Sequence, residues 1–185
     1  EQKGMWDEAM AEYEKAVGID PKFVAAREAL GRVYEHKEMW DEAISEHKEA
    51  VAIRPDFYRA RDNLFAAYAA RGDLAEVARL LEAGVPVNVR VSDCWTALMR
   101  ASFYGHADIV KLLLAKGAEV DIKTCGGETR YTKTIRAGHS LSAESVDTAE
   151  AAALILAAQK GHADVAGLLL DAGAEKDGKT KNGQT

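Results

Sequence analysis

The sequence repeats Met5-Trp6-Asp7-Glu8-Ala9 as Met39-Trp40-Asp41-Glu42-Ala43, 34 residues further along the chain. Leu30 and Tyr34 recur at the same spacing as Leu64 and Tyr68. Because residues four apart lie on one face of a helix, each such pair predicts a helix that is buried on one side. A fixed period of this length indicates stacked helical units rather than one unrepeated core.

Within one period, apolar, small, aromatic and proline residues stand at fixed places, namely Leu30, Gly31, Tyr34, Ala43, Ala50 and Pro55. This pattern resembles the tetratricopeptide repeat. The resemblance covers about residues 4–71, and its first unit is only half present because the sequence starts inside it. It implies antiparallel helix pairs, and we expect helices at about 22–36, 40–53 and 57–71.

A second period, of 33 residues, follows and is marked by glycines. It separates Gly72 from Gly105, and also Gly84 from Gly117. Glycine adopts the left-handed conformation that ends a helix without steric cost, so each glycine predicts a helix end. Every unit therefore contains a helix, a glycine turn, a second helix and a glycine stop.

These units closely resemble ankyrin repeats. The resemblance rests on Gly105-His106-Ala107-Asp108, which recurs as Gly161-His162-Ala163-Asp164, and on the opening Asp93-Cys94-Trp95-Thr96-Ala97-Leu98. It covers about residues 64–185. It implies further helices, which we expect at about 73–83, 97–104, 107–116, 149–160 and 163–172, with extended fingers between the units.

The two repeat types overlap at residues 64–71, where one helix serves both, and no Gly-, Ser- or Pro-rich linker separates them. We therefore predict an all-α helical-repeat solenoid. Tetratricopeptide-like pairs in residues 1–71 continue into ankyrin-like pairs with short hairpin fingers in residues 72–185. The final Asn182-Gly183-Gln184-Thr185 is similar to the opening of another ankyrin unit, so we expect the chain to be a fragment of a longer array.

The ankyrin period breaks once, because Gly105 and Gly161 are 56 residues apart, 23 more than one unit. We interpret residues 130–147 as an irregular insertion, with a short helix inside it as the alternative, and we expect Asp147 to cap the helix that follows. The insertion carries the basic residues Arg130, Lys133, Arg136 and His139. They indicate either a solvent-exposed insertion, which we favour, or a loop that binds anions or is controlled by phosphorylation.

Composition excludes several classes of protein. Lys and Arg number 24 against 30 Asp and Glu, and the net charge of −6 does not favour binding to nucleic acid. No apolar run approaches the roughly 18 residues of a membrane helix, so we expect no membrane insertion. No phosphate loop, nucleophile elbow or His-Glu-x-x-His motif is present. We therefore expect no enzymatic activity, no catalytic residues, no cofactor and no small-molecule substrate.

Histidine and cysteine give no sign of a metal site. Of the five histidines, three follow glycine at repeat positions, where we expect their rings to bond backbone. Cys94 and Cys125 lack the spacing of a metal-binding motif, and two cysteines do not make a disulfide framework. We predict two free thiols in a reducing compartment, and hence a cytoplasmic location.

The remaining function is recognition of other proteins or peptides, because stacked helix pairs create a long concave surface. We predict a protein-interaction scaffold that is not an enzyme. The alternative is a regulatory or targeting module of a larger enzyme whose catalytic domain lies elsewhere. In the tetratricopeptide resemblance, the groove is lined by Glu28, Arg32, Glu35, Arg59, Asp62 and Asn63. In the ankyrin resemblance, the variable positions are Ser92, Asp93, Trp95, Phe103, Tyr104, Lys116 and Lys123.

Three of these residues, Trp95, Phe103 and Tyr104, are large aromatics at positions that the repeat core does not normally require. Exposed aromatics of this kind often dominate a binding interface. We therefore predict that they form one exposed patch on the concave side of the ankyrin units. The alternative is that they pack against a neighbouring unit or against the insertion.

Overall fold

The structure, a computed structural model, describes residues 2–91, 94–124 and 152–174. Over these ranges every regular element is a helix. The helices are α1 (Gln2–Ile19), α2 (Val24–His36), α3 (Trp40–Ile53), α4 (Tyr58–Arg71), α5 (Leu74–Glu82), α6 (Ala97–Tyr104), α7 (Ala107–Ala115), α8 (Ala153–Lys160) and α9 (Ala163–Asp171). The predicted all-α solenoid is confirmed, and seven of the eight expected helices begin and end within two residues of their predicted bounds.

The exception is α8, which we expected to begin near residue 149 behind a cap at Asp147. Asp147 lies outside the described residues, and the N-cap of α8 is Ala152, whose backbone is extended with φ −94° and ψ 169°. Ala152 stands in its unit where Thr96 stands in the preceding one. Thr96 Oγ1 accepts a bond from the Met99 N–H at 3.3 Å, whereas Ala152 has no side chain that could do so. The repeat register therefore sets the start of this helix.

Helix α4, which the sequence predicted to serve both repeat types, lies between them. It packs against α3 on one side and against α5 and α6 on the other. Residues Phe65 to Ala70 are almost completely buried around its whole circumference, as is usual for a helix that is covered on every face. One continuous core runs from Ile44 in α3, through α4, to Ala174 beyond α9.

Histidines join each ankyrin unit to the unit before it. The Nε2 atom of His106 donates to the carbonyl of Ala70 at 2.8 Å, and the Nε2 atom of His162 donates to the carbonyl of Phe103 at 3.1 Å. The second bond spans 23 more residues than the first, which is the length of the extra segment. The unit α8–α9 thus stacks directly on α6–α7, and the array continues across the break. The predicted insertion at 130–147, His139 and the basic side chains there lie outside the described residues.

Cys94 corrects one prediction. It is disulfide-bonded, so the expected free thiol at this position is wrong, and Cys125 lies outside the described residues. Because disulfides persist in oxidising surroundings, this bond removes the argument that led to a cytoplasmic location. Among the described helices, none combines the length and the apolar character that crossing a membrane requires.

Candidate functional site

The joint between the two repeat types carries a polar cleft of about 460 Å³. Its lining comes from α2, from α4 and from the finger that follows α5. The lining residues are Arg32, Arg59, Asp62, Asn63, Arg90 and Val91. Four of these six were expected to line a groove, and the structure brings those four together. The cleft spans both repeat types, because Arg90 and Val91 belong to the first ankyrin finger.

The guanidinium groups of Arg32 and Arg59 form no ion pair within the part of the chain that the structure describes. The carboxylate of Asp62 lies 3.6 Å from the guanidinium of Arg61, which is an ion pair but too long for a hydrogen bond. Burial raises the pKa of Asp62 above its usual value, although Arg61 opposes the rise. The cleft therefore presents two unengaged positive groups beside one carboxylate that is partly withdrawn from water.

Asn63 is only 1 % exposed and is oriented by Glu28. Its Nδ2 donates to Oε1 of Glu28 at 3.2 Å, while its buried Oδ1 has no hydrogen-bond partner among the described residues. Turning the amide over would set two oxygens against each other, so the Glu28 contact fixes Oδ1 as the free acceptor. Glu28 is itself buried and does not line the cleft, which corrects its expected role in the groove.

Glu35 was also expected in the groove, but the structure buries it in the joint between the repeat types. One carboxylate oxygen lies 2.9 Å from His47 Nε2, and the other accepts from the guanidinium of Arg100 at 3.3 Å. Burial alone would raise the pKa of Glu35. The His47 hydrogen bond and the charges of Arg100, His47 and His36 outweigh it and lower that pKa below its usual value. Glu35 therefore holds the solenoid together and is unavailable to a partner.

Arg100 lies between two tryptophans. Its guanidinium carbon is 5.4 Å from the ring centre of Trp40 in α3 and 5.2 Å from that of Trp95 in the finger. Tyr104 packs edge-on against Trp40 at 5.3 Å and donates from its hydroxyl to Glu38 Oε1 at 3.1 Å. Cation–π contacts of this kind are strongest where water is excluded. The joint thus combines an ion pair, a hydrogen bond, two cation–π contacts and an edge-on ring contact.

The predicted exposed aromatic patch is wrong. Trp95 and Phe103 are 5 % and 4 % exposed, and Tyr104 is half-buried. Trp95 meets Phe103 edge-on at 5.5 Å, and Phe103 meets Tyr104 at 4.9 Å. The end of α6 faces back towards the tetratricopeptide helices, and Trp40 extends over it. These aromatics therefore stabilise the joint, as the alternative interpretation had it.

The other sequence candidates lie apart from the cleft at the joint. Ser92 and Asp93 are outside the described residues, and Lys116 is exposed at the end of α7. Lys123 lines a second cleft of about 760 Å³ between the next finger and the end of α9, together with Ile122 and Ala172. Arg90 reaches both clefts.

Sequence reasoning missed Arg90, Val91 and Arg100. Arg90 and Val91 directly precede the finger positions that were singled out, so a wider window would have included them. Arg100 carried a clearer signal, because the corresponding position of the last unit is Leu156, and both residues are buried. A charged residue at a position that is apolar in a sister unit marks a special contact.

Comparison with protein families matches this architecture. A model described as TPR repeat matches residues 2–38, and one described as tetratricopeptide repeat matches residues 26–57. A model described as ankyrin repeats (many copies) matches residues 64–127, and an ankyrin repeat model matches residues 151–181. The chain carries tetratricopeptide repeats followed by ankyrin repeats. The tetratricopeptide matches end at residue 57, directly before α4, and the ankyrin matches begin at residue 64, inside it.

Individual relatives match only over the repeats. Human ankyrin repeat domain-containing protein 40 is 41 % identical over 69 residues, which are 37 % of this chain and 19 % of that protein. Serine/threonine-protein kinase 12 of Arabidopsis thaliana is 39 % identical over 67 residues, or 36 % of this chain and 15 % of the kinase. The chain thus spans less than a fifth of either relative. Human ASB11 ankyrin repeat domain has a similar crystal structure, at 27 % identity and a TM-score of 0.46 over 60 % of this chain and 40 % of that one.

Within the described ranges, no three His, Cys, Asp or Glu side chains come together in a group that could hold a metal ion. Ankyrin and tetratricopeptide repeats typically mediate protein–protein interactions, and the repeat matches indicate a non-catalytic interaction module.

Proposed function

We propose that this chain is a non-enzymatic scaffold that binds a segment of a partner protein in the cleft at the joint of its two repeat types. One observation carries the proposal: four residues that were expected in a groove from the tetratricopeptide resemblance line one cleft, namely Arg32, Arg59, Asp62 and Asn63. Solenoids use such concave surfaces for binding, because the core-forming residues lie between the helices and leave the inner face variable. A protein or peptide partner fits better than nucleic acid, since the net charge of the chain is −6.

The cleft differs from a groove made by one repeat type. A segment lying in it contacts α2 and α4 through Arg32 and Arg59, and the ankyrin finger through Arg90. The buried contacts of Arg100 fix the relative position of these elements, so the two walls are held in place before a partner binds. Preorganised walls reduce the conformational entropy that binding must otherwise offset.

A second candidate function is regulation or targeting of a larger enzyme. It is favoured by the kinase relative, whose similarity to this chain is confined to 15 % of the kinase. This candidate includes the first, because a regulatory module also acts by binding. The complete open reading frame distinguishes them: a catalytic domain in the same polypeptide supports the second candidate, and its absence leaves the scaffold alone.

Site-specific photo-crosslinking tests the cleft without presuming the chemistry of the partner. A benzophenone amino acid replaces Arg59 in the cleft, or Lys48, which is exposed on α3 outside the cleft lining. Each protein is mixed with a random peptide library that has been enriched for binding to the unmodified chain. We expect the enriched peptides to crosslink at position 59 and not at position 48.

Two outcomes contradict the proposal. One is a library that yields no enriched peptides. The other is a set of peptides that crosslink at position 48 as strongly as at position 59, which places binding outside the cleft.

A further inference from the structure

We infer that the disulfide bond of Cys94 is a redox switch. While the bond is intact it restrains the first ankyrin finger, and its reduction frees the finger that forms one wall of the cleft. The sequence contains one other cysteine, so within a single chain the bond joins Cys94 to Cys125. The effect on the finger stands by itself, whereas the effect on binding rests on the proposed function.

Cys94 lies in a tight turn of the finger and has an unfavourable backbone conformation. Its N–H donates to the carbonyl of Val91 at 2.8 Å, and the Val91 N–H donates to the carbonyl of Trp95 at 3.0 Å. The φ of Cys94 is +64°, in the left-handed region that residues other than glycine seldom adopt. Every other residue with a positive φ in the described part of the ankyrin units is a glycine. A covalent bond at Cys94 therefore restrains a turn that its backbone alone does not favour.

The same turn connects the cleft wall to the buried joint. On one side of the turn, Arg90 and Val91 line the cleft, and Arg90 also lines the second cleft. On the other side, Trp95 is 5 % exposed, and its ring centre lies 5.2 Å from the guanidinium carbon of Arg100. Because these buried contacts anchor Trp95, a loosened turn displaces Arg90 and leaves the joint in place. The bond therefore acts on the cleft wall.

The bond is accessible, and the core of the solenoid does not depend on it. Cys94 is half-buried, so a reductant in solution can reach its sulphur. The continuous core from Ile44 to Ala174 is built without Cys94. Disulfides are indispensable mainly in small domains that lack a sufficient core. Reduction should therefore change the finger and leave the helices folded.

Thiol–disulfide exchange with a dithiol is the reaction that operates the switch. One thiolate of the dithiol attacks a sulphur of the bond and forms a mixed disulfide, and the second thiol then displaces the cysteine. Two electrons and two protons pass to Cys94 and Cys125, which become thiols, while the dithiol becomes a disulfide. The reverse exchange, with an oxidised dithiol, forms the bond again.

Limited proteolysis of the intact chain measures the state of the finger directly. Trypsin cleaves after Arg90, which is exposed in the finger, and after Lys48, which is exposed on α3 and serves as the internal control. The oxidised chain is compared with the chain treated with dithiothreitol, and alkylation of the thiols verifies each state. We expect reduction to accelerate cleavage after Arg90 about tenfold, because proteolysis follows the population of the opened segment. Cleavage after Lys48 and the helical circular dichroism should not change.

Binding is measured by fluorescence anisotropy in both states, with a labelled peptide that crosslinks at position 59. Arg90 and Val91 must be ordered again when a ligand binds to the reduced chain, so we expect binding to be about tenfold weaker. Cys125→Ala removes the bond without altering the turn itself. Without dithiothreitol it should match the reduced wild type in cleavage and in affinity, and dithiothreitol should have no effect on it.

Three results overturn the inference. Equal cleavage after Arg90 in the two states would show that the bond does not restrain the finger. Loss of the helical signal on reduction would show that the bond is required for the fold and is not a switch. A disulfide-linked dimer on a non-reducing gel would show that Cys94 is bonded between chains.

The two readouts separate this inference from the proposed function. Accelerated cleavage with unchanged affinity would overturn the effect on binding and the part of the finger in the cleft. A library without binding peptides contradicts the proposed function alone, because cleavage after Arg90 still decides whether the bond restrains the finger.

Discussion

Two joints of this solenoid use the same repeat position in opposite ways. Where α6 meets the tetratricopeptide helices, the position holds Arg100, which is buried against Glu35, Trp40 and Trp95. Where α8 meets α6, the position holds Leu156, which is buried in the apolar core. The second joint is the ordinary one between ankyrin units, whereas the first is made between two different kinds of repeat.

The difference shows how unlike repeats are fixed in one orientation. Apolar contacts tolerate sliding and repacking, because dispersion forces have little directionality. A buried ion pair is satisfied in one geometry only, and a misplaced partner leaves a charge in a low-dielectric interior. Arg100 therefore ties α6 and the first ankyrin finger to the tetratricopeptide helices through Glu35, Trp40 and Trp95.

The largest expected loss of stability comes from replacing the arginine of the first joint by leucine, the residue that the second joint has at this position. Arg100→Leu leaves Glu35 buried with His47 as its remaining partner, and we expect the free energy of unfolding to fall by about 3 kcal/mol or more. Urea unfolding measures this loss. Glu35→Leu added to it would leave the buried Nε2 of His47 without a partner. Because apolar residues can replace a whole buried polar cluster, the triple variant Arg100→Leu, Glu35→Leu, His47→Phe should recover much of the loss. A single variant as stable as the wild type would show that the ion pair does not hold the joint.

A smaller loss of stability is expected when alanine replaces the glycines that end α6 and α8. Gly105 and Gly161 both have φ +78°, but a Cβ at Gly105 would lie 2.6 Å from the ring of His162, whereas none of the described atoms lies within 4 Å at Gly161. Alanine at either position costs about 1–2 kcal/mol for the left-handed backbone.

Gly105→Ala should cost about 1 kcal/mol more than Gly161→Ala, since it also displaces His162 from the carbonyl of Phe103. Thermal and urea unfolding of the two variants measure the difference. Equal losses would mean that α8–α9 does not stack on α6–α7 as described.

The pH dependence of the first joint gives a third test. The folded-state pKa of Glu35 lies below its ordinary value of 4.5, because His47 and Arg100 favour the carboxylate over the opposing effect of burial. The stability that this group contributes is therefore complete above pH 4.5 and is lost as the pH falls below that value. Glu35→Gln should cost about 2 kcal/mol near neutral pH.

The difference between wild type and Glu35→Gln should shrink as the pH falls from about 6 to about 3. Urea unfolding across this range measures it, with Glu46→Gln at a half-buried surface ion pair as the control. A difference that is constant with pH, or that grows on acidification, contradicts the assigned role of Glu35.

The smallest expected effect is a gain in stability at the start of α8. Ala152 has the extended backbone of an N-cap but no side-chain acceptor, while Thr96 supplies one in the preceding unit. Ala152→Thr should stabilise the chain by about 1 kcal/mol. Differential scanning calorimetry measures the shift, and Ala152→Val, which adds a similar volume without an oxygen, is the matched control. An equal gain from both would assign the effect to packing instead.

The periodic features of this molecule could be predicted from its sequence, and the features of the joint could not. Helix bounds and glycine turns recur at a fixed spacing, so one copy of a unit predicts the next. Residues such as Arg32 and Asn63 were expected in a groove from the tetratricopeptide resemblance, and both line one cleft. The predicted start of α8 near residue 149 was wrong, because Asp147 is a better capping residue than Ala152 when the sequence is considered locally. The helix instead begins after Ala152, the position that corresponds to Thr96 in the preceding unit.

The joint occurs once, so no second copy reveals it. Trp95 and Phe103 were predicted at variable ankyrin positions, but both are buried. Their rings pack against each other, and Phe103 also contacts Tyr104, which in turn contacts Trp40. The role of Arg90 in the cleft could not be predicted for the same reason, since only the folded chain shows that its finger lies beside α2 and α4.

We expect both repeat types to unfold as one structural unit, because α4 and the buried contacts of Arg100 join them. Hydrogen–deuterium exchange with mass spectrometry, at increasing urea concentrations below the unfolding midpoint, measures whether they do. Peptides from α2, α4 and α6 should lose protection at the same urea concentration, and Arg100→Leu should lower that concentration for all three together. Loss of protection in α2 and α6 at clearly separate concentrations, with Arg100→Leu affecting only α6, would show two independent units.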